Sequence, residues 1–311
     1  MIIDIGANTT SVTPVWDGFV LTKGKHTALC MTFDPSSHVA GVQKSNYGSN
    51  YISKYIRHEF DTMSPKVPIV PHYMVKSKAP VDAGAPSNAT YVQFTTPPTD
   101  SFRHLQEERV LTSFKESMVQ VWPGPGKLDD KDPATGLVNF DTVKSQPSRP
   151  FEMPDGFNQV FGHERFRVVE SLFDANYDKV RSCISLISYQ TNRAKNPARP
   201  SIESKKTIPA MVSAALNAVD VEIRPVLLSQ VILTGGGSLI EKMAERIQSE
   251  LSAMFPNPRV RVHTTSAATD RKYGAWIGGS VLASLGTFHQ MWVSKKEYEE
   301  HGAGIVEKRC R

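Results

Sequence analysis

The sequence predicts an α/β protein assembled from strand–turn–helix units, and three stretches carry that expectation. Residues 232–251 ("ILTGGGSLIEKMAERIQSEL") pass from a β-branched strand through three glycines into an amphipathic pattern. Residues 2–21 ("IIDIGANTTSVTPVWDGFVL") set two short β-rich runs about a polar Gly, Asn and Thr turn, which is the pattern of a hairpin. Residues 151–173 place Pro154-Asp155-Gly156 between apolar-aromatic runs, as a turn between two strands.

The remaining elements follow from periodicity. Helices are expected over residues 45–60, through Tyr51, Ile52, Tyr55, Ile56 and Phe60, and over 106–122, through Val110, Phe114 and Met118. Residues 75–101 and 123–150 are rich in Pro, Gly, Ser and Asp without a period, and are expected to be loops or insertions. A helix is expected over 208–219. After strand 231–233 and the glycines, another is expected over 239–251, with Ile240, Met243, Ile247 and Leu251 on one face. Near the C-terminus, Gly278, Gly279, Ser280, Ala283 and Ser284 permit close helix contact, and Ser294 with Glu297 fits a capping box.

Composition narrows the class. With 311 residues, 40% hydrophobic and 22% charged, the chain has enough apolar material for one large core or two smaller ones. No apolar run approaches the roughly 20 residues that span a bilayer, and the N-terminus lacks the marks of a signal peptide, so a soluble intracellular protein with no membrane partner is expected. Cys30, Cys183 and Cys310 are few and far apart, and are expected to be reduced thiols. The net charge of +5 is mild. The most basic loop, residues 192–206, is either a solvated surface insertion or a contact for DNA or another acidic partner.

Three glycines at the end of a strand imply that backbone comes close to something, and a phosphate is one candidate. Neither the P-loop pattern nor the dinucleotide fingerprint is present. Instead two separate glycine-centred turns, "DIGANTTSV" and "LTGGGSL", could hold a nucleotide between them by backbone N–H groups, the second aided by the positive end of its helix. The bland alternatives are a tight turn for the glycines, a turn-closing hydrogen bond for Asp4 and a solvated helix face for Lys115 and Glu116.

Residues 271–302 ("RKYGAWIGGSVLASLGTFHQMWVSKKEYEEHG"), with the glycine turn and residues 153–173 before them, resemble the C-terminal half of actin and the actin-related proteins. Within that family, "VPIVPHYMVKSKAPVDAGAP" and "SLGTFHQMWVSKKEYEE" are most similar to the nuclear class known as the fourth. The resemblance covers nearly the whole chain except residues 26–44, 123–150 and 189–206. It implies the actin-like ATPase (ribonuclease H-like) fold, here the second large domain with its inserted smaller subdomain. The implied division gives 1–46 with 181–273 to the third, nucleotide-binding subdomain and 47–180 to the inserted fourth. The C-terminal helices, 274–311, would then belong to a first subdomain whose remainder is missing.

The resemblance also implies a cofactor and its contacts. ATP with Mg would lie against Asp4, Gly6, Ala7, Asn8, Gly235, Gly236 and Gly237, with Asp4 holding the metal through water. Lys115 and Glu116 match a pair lining the adenosine pocket, and Lys272 a lysine beside the base. Ile240 stands where actin has an aromatic packed on adenine, and an aliphatic there gives up stacking of ~1 kcal/mol.

Two departures bear on function. Ala7 replaces a second carboxylate and Ser11 a histidine, the groups that position the attacking water, so hydrolysis is expected to be very slow or absent and no residue is expected to be catalytic. The first of the family's two phosphate hairpins is not in the chain, which is expected to begin at an internal methionine of a longer gene. The resemblance therefore implies a nearly inert nuclear scaffold subunit of chromatin-remodelling and histone-acetyltransferase complexes. Its partners would be actin, a helical scaffold segment of a remodeller or acetyltransferase subunit, and histones or DNA. The alternatives are a polymerising actin-like ATPase and a sugar kinase or chaperone of the same fold, the last opposed by the long actin-like C-terminal run.

Overall fold

The computed structural model describes residues 1–21, 41–175, 177 and 202–309. The three cysteines, and most of the insertions at 26–44 and 189–206, lie outside the described residues.

The centre is a five-stranded sheet in the order β11-β10-β1-β2-β5. Strand β1 (Ile2–Ile5) runs antiparallel to β2 (Thr10–Thr13), with Asp4 opposite Ser11, and β5 (Gln43–Ser45) extends that side. Its other neighbour, β10 (Val231–Thr234), is parallel, with Asp4 opposite Thr234, and pairs in turn with β11 (Val262–His263). Alternation along β1 explains the core: Ile3 and Ile5 are fully buried on one face while Asp4 stands on the other. A further hairpin, β3 (Val15–Trp16) with β4 (Phe19–Val20), turns at Asp17-Gly18, both at positive φ as a tight two-residue hairpin requires.

Residues 45–150 depart from expectation in four places. Helix α1 (Ser49–Thr62) buries the expected Tyr51, Ile52, Tyr55, Ile56 and Phe60, but starts later than residue 45 because Ser45 pairs in β5. Helix α2 (Asp100–Met118) begins earlier than residue 106, capped by Thr99. Its first turns leave Phe102 and Leu105 exposed and so give no apolar period. The expected loop at 75–101 contains a hairpin, β6 (Val75–Ala79) with β7 (Asn88–Tyr91), that is exposed on both faces and therefore shows no alternation.

The expected loop at 123–150 likewise holds α3 (Asn139–Lys144) and the start of β8 (Arg149–Glu152). Buried Asn139 pins it by donating to the carbonyls of Pro125 at 2.6 Å and Lys127 at 2.7 Å. The 154–156 turn joins β8 to β9 (Asn158–Phe161) as expected, with Gly156 at φ +86° and the Asp155 carboxylate accepting from the Phe157 amide. Helix α4 (Glu164–Glu170) follows.

Helices α5 (Ile208–Asn217) and α6 (Arg224–Ser229) lead into β10. The helix expected from residue 239 begins only at Met243, as α7 (Met243–Met254). Residues Gly236–Leu239 form a 3-10 turn and Lys242 takes a left-handed conformation at φ +67°, so Ile240 lies before the helix, half-buried against the core that Met243, Ile247 and Leu251 complete.

The last elements are α8 (Ala268–Ala283), kinked at Tyr273, then α9 (Lys295–His301) and α10 (Gly304–Arg309). The capping box of Ser294 and Glu297 is present. Helix α8 packs on the glycine turn and β10 but buries none of its residues, and within its small-residue stretch Gly278 and Gly279 have open space above them among the described residues. Among the described residues no helix is long and apolar enough to cross a membrane.

Candidate functional site

Both glycine-bearing turns leave the carboxyl ends of adjacent strands. Because β1 and β10 are parallel neighbours, their turns emerge at one edge of the sheet, the place where open α/β sheets bind ligands.

In the first turn, the Gly6 amide donates to the Thr9 carbonyl at 2.9 Å. The carbonyls of Gly6 and Ala7 accept from the Ser49 and Asn50 amides at 2.9 and 2.8 Å, and so cap α1, whose own cap residue Gly48 has no side chain. A Cβ on Gly48 would come within 2.6 Å of both carbonyls, and Asn50 donates to the Asn8 side chain at 2.8 Å. Lys115, from α2, is buried and donates to the Ser49 carbonyl at 3.1 Å and Ser53 Oγ at 2.9 Å; burial lowers its pKa. Lys115 is therefore not on a solvated face, whereas Glu116 is exposed.

In the second turn, the Gly235 amide and Thr234 Oγ1 donate to the Arg271 carbonyl at 2.9 and 3.0 Å, tying the turn to the start of α8. Two of the three glycines are dictated by packing. A Cβ on Gly235, already at φ +88°, would fall 2.2 Å from Asp4 Oδ1, and one on Gly237 would fall 2.5 Å from Ile5 Cγ2. Gly236 is different: it is exposed, and a Cβ there would meet only Lys272 Cγ at 3.7 Å. Nothing among the described residues requires glycine at that position.

Asp4 is half-buried beside Gly235 and forms no hydrogen bond or ion pair among the described residues, and burial raises its carboxyl pKa. The amides of Ala7, Asn8, Gly236 and Gly237 donate to no acceptor among the described residues. Free amides suit an anion and an unpaired carboxylate a hydrated cation, so the donor set fits a phosphate chain with its metal.

The structure thus joins Asp4, Gly235, Gly236, Gly237 and Lys272 at one turn, and Gly6, Ala7 and Asn8 with the α1 terminus that Lys115 holds. Ile240 connects more loosely, because the Val121 amide, just beyond α2, donates to the Glu241 carbonyl at 2.9 Å. Glu116 is exposed and interacts with the cluster only through its charge next to Lys115 among the described residues. Sequence reasoning missed Gly48 and Asn50; the only signal was a Gly-Ser-Asn run at a helix start, which reads equally well as an ordinary cap.

A family model for actin matches residues 1–311, the full chain. The chain belongs to the actin family. Among curated relatives this actin-family chain is 46% identical over 314 residues to actin-related protein 4 of Emericella nidulans, covering all of the chain and 60% of that relative. It is 43% identical to actin-related protein 4 of Gibberella zeae, covering all of the chain and 58% of the relative. It is 33% identical to a Schizosaccharomyces pombe protein named as a subunit of the SWI/SNF and RSC complexes, covering 66% of it. The actin-family chain therefore spans about three fifths of the length of the first two relatives.

Proposed function

We propose that this chain is the nucleotide-holding part of a nuclear actin-related protein of the fourth class. It acts as a scaffold subunit of chromatin-remodelling and histone-acetyltransferase assemblies, pairs with actin on a helical scaffold segment, and contacts histones or DNA. The observation that carries the nucleotide half of this proposal is Gly236: a glycine that neither backbone conformation nor packing demands, on an exposed turn with free amides beside an unpartnered carboxylate. The assembly half is supported by the relatives' names, one of which is a SWI/SNF and RSC subunit.

ATP with Mg would supply a triphosphate and a divalent charge at this edge. Asp4 would hold the hydrated metal, Gly6, Ala7, Asn8 and Gly235 to Gly237 would border the phosphates, and Lys115, Glu116, Ile240 and Lys272 would surround the nucleoside. With Ala7 and Ser11 in place of water-positioning groups, the site binds without appreciable turnover. The division into 1–46 with 181–273, 47–180 and 274–311 belongs to the same proposal, supported by α8, which buries nothing of its own in this chain.

Two measurements test it. Protein carrying the complete natural chain, denatured and chromatographed, is expected to release adenine nucleotide in about equal amount to protein; an empty supernatant overturns the nucleotide half. A pulldown from nuclear extract is expected to recover actin with a remodeller or acetyltransferase scaffold, and recovery of neither overturns the assembly half.

The glycines give a sharper contrast. Gly235→Ala is expected to cost about 3 kcal/mol in urea unfolding, since it combines a strained φ with overlap on Asp4. Gly236→Ala should change stability by less than about 0.5 kcal/mol yet weaken nucleotide retention by roughly tenfold. Unchanged retention in the second variant would remove Gly236 from the site.

A further inference from the structure

The far edge of the central sheet carries a charge arrangement in which the glycine turns take no part. Residues 259–263 ("RVRVH") alternate: Val260 is buried and Val262 half-buried, while Arg259, Arg261 and His263 are exposed. β11 covers only Val262–His263, but the Arg261 backbone also bonds to β10, so Arg261 and His263 share a face about 6.7 Å apart, and Arg259 lines one hollow with them. With Ser229, Gln230 and Ile232 they line this open hollow of about 580 Å³, with no carboxylate among its described lining residues. Neither arginine has an ion pair or side-chain hydrogen bond among the described residues.

The backbone narrows the kind of partner. β11 is an edge strand, and an open edge invites an added peptide strand. Here two of the outward groups are already taken. Gln248 Nε2 donates to the Val260 carbonyl at 2.6 Å, and Gln248 Oε1 accepts from the Val262 amide at 2.8 Å. The Arg261 amide and carbonyl face inward, to the Leu228 carbonyl at 3.1 Å and the Val231 amide at 3.0 Å. An added peptide strand would have to displace Gln248 from the Val260 carbonyl and the Val262 amide, so the ladder is interrupted there and side chains carry most of the grip on a ligand at this face.

We propose that the Arg259, Arg261 and His263 face is a contact surface for the phosphate backbone of a nucleic acid. Guanidinium forks bind phosphate oxygens two at a time. The two-residue repeat is comparable to the separation of successive phosphates along a strand, and such contacts need no base readout. An acidic peptide, without an unbroken ladder, offers mainly carboxylates on flexible stems. The surface shares no residue with the nucleotide site, so its failure and the failure of the nucleotide assignment are separate results.

The test uses the full chain and a fluorescein-labelled DNA duplex of mixed sequence, followed by anisotropy over a range of salt. Arg259→Gln with Arg261→Gln should leave the unfolding transition unmoved, lower affinity by about tenfold or more at low salt, and reduce the slope of log affinity against log salt by about two. Lys295→Gln with Lys296→Gln removes the same charge from α9 and should change affinity by no more than about twofold. An unchanged slope in the arginine variant, or an equal loss in the lysine variant, overturns the proposal. So does displacement of the duplex by an oligoglutamate as readily as by unlabelled DNA of equal charge.

Discussion

Replacing Arg246 by methionine is expected to cost about 3–5 kcal/mol of folding stability, and adding Glu170→Leu is expected to restore most of the loss. Both side chains of this pair are fully buried, with Nη2 to Oε1 at 2.7 Å and Nη1 to Oε2 at 3.2 Å. Arg246 also donates to Glu250 at 2.8 Å and to the Trp122 carbonyl at 3.0 Å, with its guanidinium 4.8 Å from the Phe173 ring centre. Glu170 in turn accepts from the Leu128 amide at 3.3 Å. The network therefore ties α7, the helix after the glycine turn, to α4 and to the segment after α2. Removing only the arginine strands a carboxylate in a dry interior; removing both leaves an apolar gap that leucine and methionine fill.

The pH dependence of that loss has a definite sign. Burial pushes the Glu170 carboxyl up to about 7 from an ordinary 4.5, against the pull of Arg246. A carboxyl that holds its proton more tightly in the fold than in the unfolded chain stabilises the fold below about pH 4.5, and that contribution is lost as pH rises through about 7. Without Arg246 the carboxyl rises further, so Arg246→Met should lose least stability near pH 5 and most near about pH 8. Urea unfolding of parent, single and double variants at both values is the measurement. A double variant no more stable than the single one would show that the stranded charge is not the cause.

Much of the architecture was legible because burial imposes periodicity. The Tyr51 to Phe60 pattern of α1 and the Met243, Ile247, Leu251 stripe of α7 face a core, so their spacing showed in the sequence. The β6–β7 hairpin and the first turns of α2 are solvated, and a solvated element has no apolar period to read. The 123–150 segment is ordered by one asparagine donating to two carbonyls, an arrangement that composition cannot distinguish from a loop. At the site, the two turns were legible as glycine signals. The distinction among Gly235, Gly236 and Gly237 was not, since it depends on where Asp4 and Ile5 sit on the neighbouring strand. The buried Arg246–Glu170 pair was equally hidden: charged residues 76 positions apart announce nothing until the fold brings them together.

Introducing Ala7→Asp with Ser11→His into the complete natural chain is expected to raise ATP turnover by about 10²- to 10⁴-fold, the range that a positioned proton acceptor contributes. Ser11 stands directly opposite Asp4 across the β1–β2 pair, and Ala7 is exposed in the turn above it, so both new side chains would enter the neighbourhood of the Asp4 carboxylate. Directly opposed residues of an antiparallel pair have Cβ atoms about 5 Å apart, close enough for one water to be shared between an imidazole and the phosphate edge. If the parent is slow because its nucleotide is well held but the attacking water is unplaced, supplying the placement is sufficient. Phosphate release under single-turnover conditions measures the rate, and Asp4→Asn added to the double variant should abolish the gain. A double variant that retains ATP and is no faster than the parent would mean that geometry elsewhere in the cleft, rather than these two side chains, withholds the reaction. A parent already hydrolysing at the accelerated rate would mean that nothing had been withheld.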